Sequence, residues 1–220
     1  MNQHGFARDT NFEIIKKDDI SVSFSLKSNI DTKKLYPYDF ELIITYVLKG
    51  NGVEVKWDVI NTDNKEIYFS IGAHPALNIP INENNTLEDY YIMLKSSNEV
   101  YNIQLNGPFY DKIVKVENLS KVNLKPQLFI NDALIYTNID NVSIFNKDDK
   151  VVEVNLKGFP LVGIWSPYYK KTNSIAPFIC IEPWYGLADI INSNGHYKDK
   201  LYINKLNENC IFSASYEISL

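Results

Sequence analysis

The sequence predicts an all-β protein, an antiparallel β-sandwich, on two observations. Apolar residues recur with a period of two, and the strand-like runs are separated by glycine- and asparagine-rich turns. Ile20, Val22, Phe24 and Leu26 alternate with Ser21, Ser23 and Ser25. Near the other end, Phe212, Ala214, Tyr216 and Ile218 alternate with Ser213, Ser215, Glu217 and Ser219. Each run puts apolar groups on one face and hydroxyls or charge on the other, as a half-buried strand requires.

The elements between them follow the same logic. Phe40 to Leu48 and Val53 to Ile60 flank Lys49-Gly50-Asn51-Gly52, and Asn61-Thr62-Asp63-Asn64 separates the second run from Glu66 to Ile71. Glycine and asparagine tolerate the positive φ of tight turns, so this stretch reads as an antiparallel meander. Further strands are expected at 90–94, 127–130, 133–137, 142–145, 151–156, 161–165, 178–182, 200–203 and 211–220. Helical signals are confined to short turns around 83–89 and 185–191.

The chain has 220 residues, 45% of them hydrophobic. That is enough for one sizeable core, and a single domain over residues 1–220 is expected. A net charge of −5 gives no reason to expect nucleic acid or anionic lipid as partner. The two cysteines, Cys180 and Cys210, form neither a disulfide framework nor a Cys-x-x-Cys metal motif. The start of the chain is polar, and no window has the length of a membrane-spanning helix. A soluble, cytoplasmic protein with reduced thiols is the expectation.

Histidine is rare, so its placement is informative. His74 follows a strand-like run and is held between Ala73 and Pro75, which biases it toward extended backbone. It is either a rigidly mounted acid–base group or a histidine hydrogen-bonded at a strand end. Glu182 closes the apolar run Ala176-Pro177-Phe178-Ile179-Cys180-Ile181 and precedes Pro183-Trp184. A carboxylate there is either salt-bridged or poorly solvated and aimed into a cleft, where burial raises its pKa and makes it a better base near neutrality. Arg8 is the sole arginine of a lysine-rich chain, which hints at a bidentate contact that lysine cannot make. Asp132 reads on its own as a turn residue. The many aromatic residues suit sugar stacking but equally suit a β core. No phosphate-binding glycine loop and no Gly-x-Ser-x-Gly elbow is present. Two histidines and a glutamate could formally hold zinc, but they lack the close spacing of zinc peptidase motifs, so no metal is expected.

Five segments in order resemble the galactose mutarotase-like family of aldose 1-epimerases, in particular its LacX-like branch. They are His4-Gly5-Phe6-Ala7-Arg8-Asp9, Gly72-Ala73-His74-Pro75-Ala76, Asn131-Asp132-Ala133-Leu134, Leu161-Val162-Gly163-Ile164-Trp165 and Cys180-Ile181-Glu182-Pro183-Trp184-Tyr185-Gly186-Leu187-Ala188-Asp189. The resemblance implies a supersandwich of antiparallel sheets and an enzyme that interconverts the α and β anomers of an aldose or aldose phosphate, with no cofactor. It further implies His74 as general acid, Glu182 as general base, and His4 as a second histidine at the sugar. Arg8 and Asp132 match substrate-binding positions. The same features would also suit a carbohydrate-binding or sensing module, or a hexose-6-phosphate mutarotase. Family members carry several strands before the His-Gly motif, which here begins at residue 4. A domain short at its N-terminus is therefore expected, with a frayed His4 segment and an exposed sheet edge that invites self-association.

Overall fold

The computed structural model describes residues 4–119 and 121–220. The chain divides into two units: residues up to Phe69 with Lys205–Glu217, and Ser70–Asn204 with Ile218–Leu220. No helix among the described residues is long and apolar enough to cross a membrane.

The first unit is built on the strands Glu13–Lys17, Ser21–Lys27, Phe40–Lys49 and Gly52–Asn61, adjacent in that order and followed by Ile211–Ser219. The serine-alternating run forms the expected half-buried strand. Phe24, Ile44 and Trp57 stand side by side in one row, and Leu26, Leu42 and Val59 in another on the same face. The serines turn to the opposite face, where Ser23 and Thr45 share a 2.8 Å hydrogen bond and Ser25 donates to Glu41 at 2.7 Å. Gly50, at φ 56°, opens the two-residue turn of the central hairpin, as its sequence requires. The edge strand Glu13–Lys17 is exposed at all five positions.

Phe6 is packed among aromatic residues of the same unit. Its ring stacks on Tyr36 with centroids 6.1 Å apart and meets Phe40 edge-on at 5.8 Å. The Thr10 hydroxyl also donates to the Phe6 carbonyl at 2.8 Å.

The second unit holds two antiparallel groupings. In one, Asp149–Asn155, Asn141–Asn146, Tyr90–Lys95 and Val122–Asn123 lie side by side. The other runs Asp189–Ile190, Phe109–Lys115, Tyr101–Asn106, Leu134–Thr137, Leu161–Trp165, Phe178–Tyr185 and Ile71–Gly72, with Ala76–Asn78 also pairing Phe178–Tyr185. Asp189–Ile190 pairs in parallel, against the otherwise antiparallel pattern.

Three sequence expectations are corrected. Residues 127–130 form the 3₁₀ turn Pro126–Phe129, because Pro126 lacks a ladder donor and suits a first helical position. The 200–203 stretch is a turn carrying Tyr202 at φ 59°, and the strand begins at Asn204. Residues 185–191 contain no helix: Gly186 sits at φ 150° and Asp189–Ile190 is a strand. The Tyr101–Asn106/Phe109–Lys115 hairpin went unread, although Tyr101, Ile103 and Leu105 alternate ahead of Asn106-Gly107.

Asn61 ties the first unit together. It is 1% exposed, and its amide donates to the carbonyls of Lys65 at 2.9 Å and Leu206 at 3.0 Å. Its side-chain oxygen accepts from the Asp63 N–H at 2.9 Å. Truncation leaves buried carbonyls without donors. Asn61→Ala is expected to lower stability by about 2 kcal/mol, read from urea unfolding, since each orphaned buried group costs about 1–3 kcal/mol.

Candidate active site

The strand Phe178–Tyr185 is the spine of the site. On one side it pairs with Leu161–Trp165, placing Gly163 opposite Glu182 and Trp165 opposite Cys180. On the other it pairs with two short strands, so that Trp184 faces Gly72 and Cys180 faces Ala76. His74 lies between those strands and so comes level with Glu182. The backbone around it stays anchored: the Ala73 N–H donates to the Pro183 carbonyl at 3.1 Å and the Ile181 N–H to the Pro75 carbonyl at 3.3 Å. Pro75, with no N–H, sits where the ladder opens. Strand alternation then sends His74, Glu182, Cys180, Trp184 and Trp165 to one face.

On that face the His74 Nε2 lies 3.4 Å from the Glu182 Oε1. The two side chains differ in environment: 38% of the His74 side chain is exposed against 7% for Glu182. The imidazole also meets the Trp165 ring edge-on, with centroids 5.6 Å apart. Burial pushes the Glu182 carboxyl up to about 8, the negative charge of Asp132 adds to the rise, and a hydrogen bond from the Trp184 side chain opposes it. The site therefore pairs a solvent-reachable imidazole with a carboxyl that holds its proton far above the ordinary range, the combination that acid–base catalysis near neutrality uses.

Cys180 is the third polar group here. Its sulfur and the donor atoms of His74 and Glu182 all lie within 4.8 Å of one another. Burial, reinforced by Glu182, pushes its thiol up to about 12. A metal takes the thiolate, which this setting disfavours, and His74 and Glu182 alone are fewer than the three protein ligands of a catalytic zinc centre. The cluster is better suited to moving protons than to holding an ion.

Asp132 adopts φ 77° in the turn before Leu134–Thr137. The turn reading of that residue therefore holds, and the turn also brings its charge within reach of Glu182. His4 and Arg8 belong to the first unit. His4 is exposed, and Arg8 lies in the 3₁₀ turn Ala7–Asp9, where its Nε contacts the adjacent Asp9 carboxylate at 3.3 Å. That exposed pair contributes little, about 1 kcal/mol at most. Sequence reasoning passed over Trp165, Trp184, Gly72 and Gly163 as site residues. Their signal was positional: Trp184 and Gly72 lie two residues from Glu182 and His74, Gly163 lies directly across from Glu182, and Trp165 lies across from Cys180.

The chain belongs to the aldose 1-epimerase family, whose model matches residues 1–201. It is 30% identical over 230 residues to the chromosomal and plasmid-encoded LacX proteins of Lactococcus lactis subsp. lactis, an alignment covering 100% of this chain and 75% of each relative. Among solved structures it is similar to a galactose mutarotase related enzyme from Lactobacillus acidophilus (TM-score 0.93, 33% identity, 100% of this chain and 74% of that one). It is also similar to a galactose mutarotase-like protein from Lactobacillus casei (TM-score 0.88, 28% identity, 100% and 76%). The fold is thus the galactose mutarotase-like one expected from the sequence.

The raised Glu182 carboxyl makes a stability prediction. Folding takes up a proton whenever pH lies between the ordinary value of 4.5 and the folded value of about 8. Stability is therefore unaffected by this group below the lower value and falls as pH rises through the window. Glu182→Gln removes the titration. The variant is expected to be more stable than the parent at pH 8 and to lose that advantage near pH 4, in denaturant melts across the range.

Proposed function

We propose that the chain catalyses the interconversion of hexose anomers by acid–base opening and closing of the pyranose ring. The observation that carries this reading is the buried Glu182 carboxyl 3.4 Å from a half-exposed His74 that meets the Trp165 ring edge-on. The two oxygens that must exchange protons, O1 and the ring oxygen, are bonded to the same carbon. An acid and a base serving both must therefore stand close together.

Glu182, in its ionised form, takes the proton of the C1 hydroxyl. His74, in its protonated form, delivers one to the ring oxygen as the C1–O5 bond breaks. The open aldehyde rotates about C1–C2. The C5 hydroxyl attacks the other face of the carbonyl, and both proton transfers reverse. The substrate ends with the same atoms and electrons it began with, so the chemistry calls on no cofactor. Trp165 and Trp184 offer apolar surface to the C–H face of the sugar. Asp132 is proposed to accept a sugar hydroxyl from its turn.

Polarimetry of freshly dissolved α-glucose and α-galactose tests the reading. The protein should speed equilibration above the spontaneous rate, and chelator should leave that rate unchanged. Glu182→Gln should lower it by roughly 100-fold or more, the usual worth of a positioned acid–base group, while sugar binding weakens far less. Binding without acceleration by the parent protein would instead mark a sensing module.

A further inference from the structure

We infer that Trp184 is the positioning residue of Glu182, and that Gly72 and Gly163 exist at their positions to seat its indole. The inference rests on the acid–base reading above and adds residues to it.

The geometry is that of a ring laid flat across three strands. Trp184 projects from the same strand and face as Glu182, two residues on. Its cross-strand neighbours are Gly72 on one side and Leu161 on the other. A Cβ on Gly72 would stand 2.8 Å from the indole Cδ1 and 3.5 Å from Nε1. A Cβ on Gly163 would overlap Cζ2 and Cη2 of the same ring. Both glycines thus leave their side-chain space to one indole, its pyrrole edge over Gly72 and its benzene edge over Gly163. Neither glycine has a positive φ, so backbone conformation does not call for glycine there. The demand is for space.

Apolar contacts also hold the ring. Trp184 packs against the cluster of Ile103, Ile135, Leu161 and Leu187. With the ring seated there, two residues on from Glu182 and on the same face, its single N–H is the donor that lowers the Glu182 carboxyl. Gly163 lies directly opposite Glu182 and Gly72 directly opposite Trp184. Strands with ordinary side chains at these positions would lift the indole off the sheet and withdraw the donor.

The consequence is chemical. The polar groups that face Glu182 are His74 from the neighbouring segment, Asp132 from its turn, Cys180 from its own strand and Trp184. Asp132 is anionic and Cys180 a weak donor, so both favour a protonated Glu182 or leave it unchanged. The indole N–H stabilises the ionised carboxylate, the form a general base needs. Trp184 draws the carboxyl down toward neutrality against a burial that raises it.

The test uses Trp184→Phe, which keeps an aromatic ring and loses the N–H. Carboxyl-labelled glutamate NMR, with Glu182→Gln to assign the signal, reads the Glu182 titration in the sugar-free protein. Its midpoint should move up by about one pH unit, the size expected for a lost hydrogen bond to a charged group. The acidic limb of the kcat/KM profile for mutarotation should move the same way. Gly163→Ala should do likewise, and the double variant Gly163→Ala/Trp184→Phe should shift the midpoint no further than Trp184→Phe alone, because both act through one ring. Gly72→Ala replaces Gly163→Ala should the latter fail to fold. An unmoved midpoint in Trp184→Phe overturns the inference, and additive shifts in the double variant overturn the role of the glycines. The NMR titration decides this whether or not mutarotation is found, so the two readings can fail separately.

Discussion

A carboxylic acid buried in the middle of a β-sheet is the constraint from which the rest of the site follows. Glu182 lies on a strand flanked on both sides, where solvent cannot stabilise its charge and its proton is held up to about 8. Such a group lowers stability at neutral pH, and a protein built for stability alone would place an apolar residue there. Two neighbours favour its ionised form, an imidazole at 3.4 Å and an indole donor, against burial and the charge of Asp132.

Sheet geometry makes this arrangement economical. Cross-strand neighbours and same-strand residues two apart share a face, so a few side chains converge without any long loop. The ladder breaks between Ile71–Gly72 and Ala76–Asn78. That break frees His74 from strict ladder geometry while hydrogen bonds to Pro183 and from Ile181 hold the backbone on either side. The glycines at 72 and 163 complete the arrangement by giving an indole room to lie flat. Residues without side chains thereby contribute to the chemistry as directly as those with them.

How much of this was legible in the sequence depended on the range of the signal. The period-two runs and the Gly50 turn are local, and the strands around 20–26, 40–60 and 211–219 formed where read. The 161–165 strand was read to the residue, because an unbroken apolar run has clear ends. The hairpin at 101–115 escaped because its second strand is mostly exposed and carries Asp111, Lys112 and Lys115 among its apolar residues. Pro126 and Gly186 overrode apolar patterns through backbone chemistry. His74 and Glu182 stood out singly, by rarity and by position at the end of an apolar run. Their juxtaposition did not, because residues 108 positions apart meet only through the pairing of Phe178–Tyr185 with Ile71–Gly72 and Ala76–Asn78. The partnership of Gly163 with Trp184 was invisible for the same reason: it exists only once the register is set.

The central claim is that this face of the sheet holds a sugar with its anomeric centre between His74 and Glu182. A crystal structure of the Glu182→Gln protein soaked with galactose or glucose addresses it most directly. The account predicts a pyranose on this face, its C1 hydroxyl within about 3 Å of residue 182 and its ring oxygen within about 3 Å of the His74 imidazole. A sugar bound elsewhere, or bound here with its anomeric carbon turned away from both residues, would contradict it.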